Sequence, residues 1–453
     1  MLMEQRVSKR FAAAVLPGPA LNPINTTMIS VALVPISMQT GVSAATAVWL
    51  VAGLYLVSAV FMPTFGTFAD IFGPRKVYVF GLIVTAVCGV IPTLFPTFAG
   101  ALIARLGIGV GTSAAYPAVM VLIRDDATRH GRETPKGLLS AVSFSSLATA
   151  TVGPVLGGVL VDAFGWEAIF LVNIPFALIT LGLALAYLPP DSARPAASTT
   201  PRGLKDIDWL GIALFAGSMV ALLLFLLDVR GGAWWLVVLG VAAGVVFVLW
   251  EKNYKDPFVD VVMVAHNGPL TRTFLRFFLT LLCMYLVTYG FVQWAQGVQG
   301  YSSSMAGFIQ LPTMILGAAA TIWAGKNSKL FFQLMLTAGM LLVGGVMLVL
   351  LGADSPLWWL LLAMAAFGIP HGVCSVANQA ALYVQAPANA MGSASGLSRT
   401  FTNIGAMVAS AVISIVFGEE PTTSGMRIIA VILLCAAGAL FVLTVTDKNL
   451  KAN

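Results

Sequence analysis

Apolar residues in this chain run almost unbroken for about twenty positions at a time, and short clusters of charge, proline and glycine separate the runs. A hydrocarbon layer about 30 Å thick takes roughly 20 residues of helix, and a helix satisfies its own N–H and C=O groups where no water is present. The pattern predicts six spans near 11–37, 46–69, 77–97, 99–123, 137–163 and 166–187. After the polar stretch 189–208 come two more, near 209–229 and 234–250. Beyond the charged segment 251–260 lie six others, near 272–297, 304–324, 331–351, 357–384, 390–418 and 426–446. The outer blocks, 11–187 and 271–446, are nearly equal in length, as expected of a repeated six-helix unit with an inserted pair. The expected architecture is an all-α polytopic membrane protein with fourteen transmembrane helices. An N-terminal six-helix bundle (1–188) and a C-terminal one (261–453) flank a linker with two extra helices (189–260).

Composition agrees, since 59% of the 453 residues are hydrophobic and 9% charged, against roughly 25% charged in soluble domains. Thinly spread basic residues exclude a nucleic-acid reader. Cys88, Cys283, Cys374 and Cys435 lie in apolar runs and read as small hydrophobes, not disulfide partners. The first run follows Arg6, Lys9 and Arg10 as a signal peptide would, but it is too long and carries Pro17, Pro19 and Pro23, so it reads as an uncleaved span. Basic residues are retained on the cytoplasmic side of short loops. With the N-terminus inside, all but four of the 24 Lys and Arg residues fall inside; Arg230 and Arg427 fall outside, and Arg105 and Arg399 lie within spans. One span instead of two in 209–250 would move Lys326, Lys329, Lys448 and Lys451 outside, so charge supports the count of fourteen. Both termini are expected in the cytoplasm.

Catalytic and metal constellations are thin. His130, His266 and His371 are far apart, no CxxC occurs, and no acid pair lies in a span interior, so neither an enzyme, a cofactor nor a metal site is expected. Spans interrupted by Gly and Pro, with amides at mid-depth, read instead as a solute path between two bundles.

Six stretches carry a resemblance. Gly66-Thr67-Phe68-Ala69-Asp70-Ile71-Phe72-Gly73-Pro74-Arg75-Lys76 resembles the G-x-x-x-D-x-x-G-x-[RK]-[RK] loop of the major facilitator superfamily, with Ile71 where a basic residue is common. Arg105 to Gly111 resembles its R-x-x-x-G motif, and Gly153-Pro154-Val155-Leu156-Gly157-Gly158 its exporter motif G-P-x-x-G-G. Gly165 to Pro175 is similar to the G-W-R-x-x-F-x-x-N-x-P run of the fourteen-helix drug:proton antiporter group, with Glu167 replacing arginine; Gln296 to Ser302 and Gly392 to Leu397 also resemble that group. The resemblance implies an alternating-access, proton-linked exporter of hydrophobic or amphipathic molecules, a multi-pass monomer in a bacterial inner membrane. Its partners would be small molecules, lipid and protons, and no nucleic acid.

Physical sense accompanies each motif. A carboxylate at Asp70 can meet the positive N-terminus of a helix from the other half, here the span starting near Ala390, and so latch one state. The alternative is a charged turn that fixes topology. Gly66, Gly73 and Arg75 complete that loop, while Gly153, Pro154, Gly157 and Gly158 bend or open a helix where halves rock or seal. Arg105, which costs about 2.5–3.5 kcal/mol at a helix centre, needs a partner inside the bundle or must snorkel.

Departures bear on cargo. Where the antiporter group often has an acid in span 1, this chain has Asn25, and all eighteen Asp and Glu fall at ends or in loops. Arg105 and Arg399 leave the interiors positive, which suits a neutral, zwitterionic or anionic, largely apolar cargo, with either arginine as anion partner; Arg399 can equally be structural. Candidate cavity groups are Asn22, Asn25, Tyr55, Tyr116, Gln293, Gln296, Asn378 and Gln379, each also readable as a helix-to-helix hydrogen bond. His371 reads as a proton carrier or a structural histidine. The alternatives to an exporter are a specific, uncoupled transporter of an anionic or neutral metabolite or lipid-like compound, and a sensor, which would normally carry a soluble domain.

Overall fold

Twelve helices of the described residues are long and apolar enough to cross a membrane, or thirteen if a bent pair at the N-terminus counts as one. The computed structural model describes residues 8–131, 136–194, 207–227, 231–254, 257, 259, 261–326, 329–385 and 391–447.

The bent pair is α1, Lys9–Val31 and Leu33–Thr40, meeting at 58°. The sequence predicted one continuous span at 11–37. Pro35 accounts for the break: it has no N–H to give the Val31 carbonyl four residues back, and that carbonyl accepts from Gln296 instead. Thr26 and Thr27 donate to the Pro23 carbonyl at 2.8 and 3.0 Å and Ser30 to the Thr27 carbonyl at 2.7 Å, and the helix tightens into a 3-10 turn at Ile29–Val31. Such back-bonding adds to the bend.

The remaining helices follow the predicted order. They are α2 (Ala44–Phe72), α3 (Pro74–Leu94), α4 (Phe98–Arg129), α5 (Lys136–Phe164) and α6 (Ala168–Tyr187). Next come α7 (Trp209–Leu227) and α8 (Trp234–Glu251), then α9 (Gly268–Gly297) and α10 (Ser303–Lys326). The last four are α11 (Leu330–Val349), α12 (Leu357–Gln385), α13 (Met391–Phe417) and α14 (Thr423–Val445). The apolar stretch of α7 is shorter, Trp209–Phe225.

Starts are capped as their sequences dictate: Ser43, Thr97, Ser302 and Thr422 accept a hydrogen bond from the N–H three residues on. Gly73, at φ +102°, turns the chain between α2 and α3, and Pro74 opens α3.

Within the first six helices α3 packs on α4 and α6, α2 on α4, and α1 on α5; within the last six α10 packs on α12, α11 on α12 and α14, and α9 on α13. Two seams join these sets, α5 against α10 and α2 against α13, and α7 lies on α2 and α13 across the second. α8 packs on α7 and shows an apolar outer face, Trp234 62% and Val238 70% exposed, as a lipid-facing helix does. Inside α9, residues Leu286–Phe291 form a π-turn, a feature frequent at functional sites.

Candidate functional site

One end of the bundle carries Asp70. Its carboxylate lies 3.0 Å from Arg124 and 3.9 Å from Arg194, while Arg194 bonds Asp125 at 2.7 Å and the Asp70 carbonyl at 2.9 Å. Asp191 accepts the Arg75 and Lys76 N–H groups, both at 3.0 Å, capping α3. Arg75 itself reaches the Leu185 carbonyl. Residues 190–194 therefore strap the ends of α2, α3 and α4 together. Nothing in the sequence marked this, because Asp191 and Arg194 stand in an ordinary polar stretch. Ala390, the partner region expected for Asp70, lies outside the described residues. Gly66 faces Pro117 of α4.

Deeper in, Arg105 is buried, and its guanidinium donates to the Leu50 and Asn25 carbonyls, both at 2.9 Å. The Asn25 carbonyl is offered just before the 3-10 turn of α1. Asn25 and Asn173 exchange side-chain hydrogen bonds at 2.5 and 3.0 Å, and Asn25 also donates to Leu21 O. An aspartate at position 25 would lack those two donors, which accounts for the amide where the antiporter group has an acid. Asn22 donates to Thr112 at 3.1 Å and lies 3.5 Å from Ser58. Asn22, Asn25 and Arg105 thus tie α1, α2, α4 and α6 to one another. Replacing Arg105 by methionine is expected to lower stability by about 1–3 kcal/mol, two interhelical bonds at membrane values, read as a lower thermal midpoint in detergent. Lysine should not rescue it, since one ammonium cannot reproduce the guanidinium fork.

Tyr55 and Tyr289 join the two helix sets at mid-depth. Their hydroxyls lie 3.0 Å apart and Tyr289 OH donates to the Thr26 carbonyl at 2.7 Å. With that proton committed, Tyr55 must be the donor to Tyr289. Tyr285 stacks on Tyr289 at 5.6 Å and tilts against Tyr55 at 5.1 Å. Gln293 donates within its own helix to Tyr289 O, whereas Gln296 crosses to Val31 O at 2.9 Å. Arg399 places its guanidinium 5.2 Å from the Tyr116 ring centroid. His371 packs against Gly317 of α10, within the last six helices. Asn378 is 1% exposed, and neither of its side-chain polar atoms has a hydrogen-bond partner among the described residues.

The opposite end carries Asp162, which the sequence left as one acid among those at span ends. Its two oxygens accept the Ser303 and Ser304 N–H groups at 3.2 and 2.8 Å, capping α10 from α5. Beside it the backbones nearly touch. A Cβ on Gly158 would lie 2.5 Å from Ser303 O, and one on Gly307 2.5 Å from Pro154 O. Gly157 and Gly153 bear similarly on Met28 and Thr27 of α1. At the second seam Ala44 and Ala45 N–H donate to the Glu419 and Gly418 carbonyls at 2.9 and 2.8 Å, and Ser414 reaches Ala45 O. Among the described residues, the hydrogen bonds joining the first six helices to the last six lie at mid-depth or at this end.

The family model described as Major Facilitator Superfamily matches residues 15–410. The MFS-type transporter YwoD of Bacillus subtilis is 32% identical, with 96% of each chain aligned. The tetracenomycin C resistance and export protein of Streptomyces glaucescens is 27% identical over 90% of this chain and 75% of its own. A crystal structure of a POT family transporter in complex with 5-aminolevulinic acid superposes with a TM-score of 0.70 at 13% identity, covering 97% of this chain and 96% of that one.

Proposed function

Since this chain belongs to the major facilitator superfamily, we propose that it exports hydrophobic or amphipathic small molecules by alternating access between two six-helix halves, residues 1–188 and 261–453. On this reading the membrane is a bacterial inner membrane, the Asp70 end faces the cytoplasm with both termini, and the chain works as a monomer. Counting α1 as one span and α7 as a short one gives fourteen, the number in the drug:proton antiporter group.

The carrying observation is the asymmetry of the seams. Among the described residues, cross-connections gather at the Asp162 end, while exposed Arg399 stands between the halves nearer the Asp70 end. That is the pattern of a carrier closed to the outside and loading from within. The G-P-x-x-G-G stretch supplies its closest contacts, which supports an exporter. Asp70, held here by Arg124 and Arg194, is then the latch of the opposite state.

The test is transport in proteoliposomes under an imposed pH gradient, with tetracenomycin C, the compound in the Streptomyces relative's name, as first probe. Proton-driven antiport is expected. Movement indifferent to the gradient would favour the second reading, an uncoupled transporter of an anionic or neutral compound, which the lack of carboxylates at mid-depth supports. No movement under any gradient would contradict both.

A further inference from the structure

The structure treats the two intramembrane arginines differently. Arg105 spends its guanidinium on two backbone carbonyls. Arg399 is exposed, and among the described residues it has neither an ion pair nor a hydrogen bond; it lies over the Tyr116 ring. It stands eight residues inside α13, about 12 Å at the helical rise. Tyr116 belongs to α4, so the cation projects between the halves, on the Asp70 side of the tyrosine relay.

On α12, Asn378 lies seven residues from the helix end at Gln385, hence at nearly the same depth. Its amide is buried, and among the described residues both of its polar atoms are unmet. A buried amide in that condition calls for an added polar group. The wall beside the guanidinium is aromatic, from Tyr116.

We propose that the cargo is an amphipathic organic anion, an apolar body with a carboxylate or similar head, and that Arg399, backed by the Tyr116 ring, holds the head. This rests on the transport reading above and assigns its charge class. A guanidinium binds a carboxylate through paired, charge-assisted hydrogen bonds. The eighteen acidic residues lie at span ends or in loops, so a cationic head finds no counter-charge at this depth. The ring can support the cation while no cargo is bound.

The test is equilibrium binding to the purified full chain in nanodiscs, using 4-phenylbutyrate, 4-phenylbutyramide and 4-phenylbutylamine, one body with three heads. The carboxylate is expected to bind at least about tenfold more tightly than amide or amine, the worth of one favourable charged contact. Arg399→Gln should erase that preference and leave amide binding unchanged; Arg399→Lys should keep part of it; Tyr116→Leu should weaken the carboxylate alone. An equal or tighter amine, an undiminished preference in Arg399→Gln, or no binding of any head would overturn the proposal. The transport reading stands apart, because gradient-driven movement of tetracenomycin C with no anion preference sinks this inference alone, and anion binding without any movement sinks the other.

Discussion

Gly158→Val is expected to abolish transport, with a rate loss of more than about a hundredfold, while the protein still inserts and accumulates. The cause is a close approach of backbones. A Cβ at 158 falls 2.5 Å from Ser303 O and 2.7 Å from Ser304 Cα, atoms that cannot swing aside as a side-chain end can. Valine therefore holds α5 off α10 and keeps the Asp162 end from closing. Gly158→Ala should have a smaller effect of the same sign. Gly182 on α6 has nothing within 4 Å of its Cβ position, so Gly182→Val should transport normally. Efflux rates measure the loss. Labelling of a Ser304→Cys chain by a membrane-impermeant maleimide reads its cause, with reactivity expected to become permanent in the Gly158→Val background.

Asp162→Ala is expected to shift the conformational equilibrium without blocking it. The carboxylate accepts two backbone N–H groups at the start of α10, where the helix dipole also favours negative charge. Hydrogen bonds to a charged group contribute about 1.5–3 kcal/mol, so the population open at this end should rise about ten- to a hundredfold. Asp162→Asn, which keeps an acceptor but loses the charge, should fall between. The same maleimide assay reads both, and an unchanged labelling rate in Asp162→Ala would show that the cap does not hold this end.

The helical order could be read from the sequence because a lipid environment imposes one rule, about twenty apolar residues per span, and α2 to α14 follow it. The break in α1 follows from Pro35, which cannot donate to the Val31 carbonyl; the residue stood in plain view, but a proline inside an apolar run does not by itself announce a break, since Pro117 and Pro154 sit inside the continuous α4 and α5. Arg105 announced that it needed a partner, yet its partners are carbonyls, which every residue carries. Asn25 was visible as a substitution for an acid, but the paired Asn173 lies 148 positions away. Gly158 marked a groove whose occupant, the Ser303 backbone, has no side-chain signature. The Asp162 cap was missed for a related reason, since its donors are main-chain N–H groups. Arg399 stood out early, and only its surroundings distinguish it from Arg105.

Alternation between the two ends is most directly tested by paired distances in nanodiscs. In a chain whose four cysteines are replaced, spin labels at Thr46 and Glu420 report the Asp162 end, and labels at Lys76 and Lys329 report the Asp70 end. The account predicts two populations in which the first distance lengthens as the second shortens, with cargo or a pH gradient moving molecules between them. Distances that stay fixed, or that lengthen together, would contradict it.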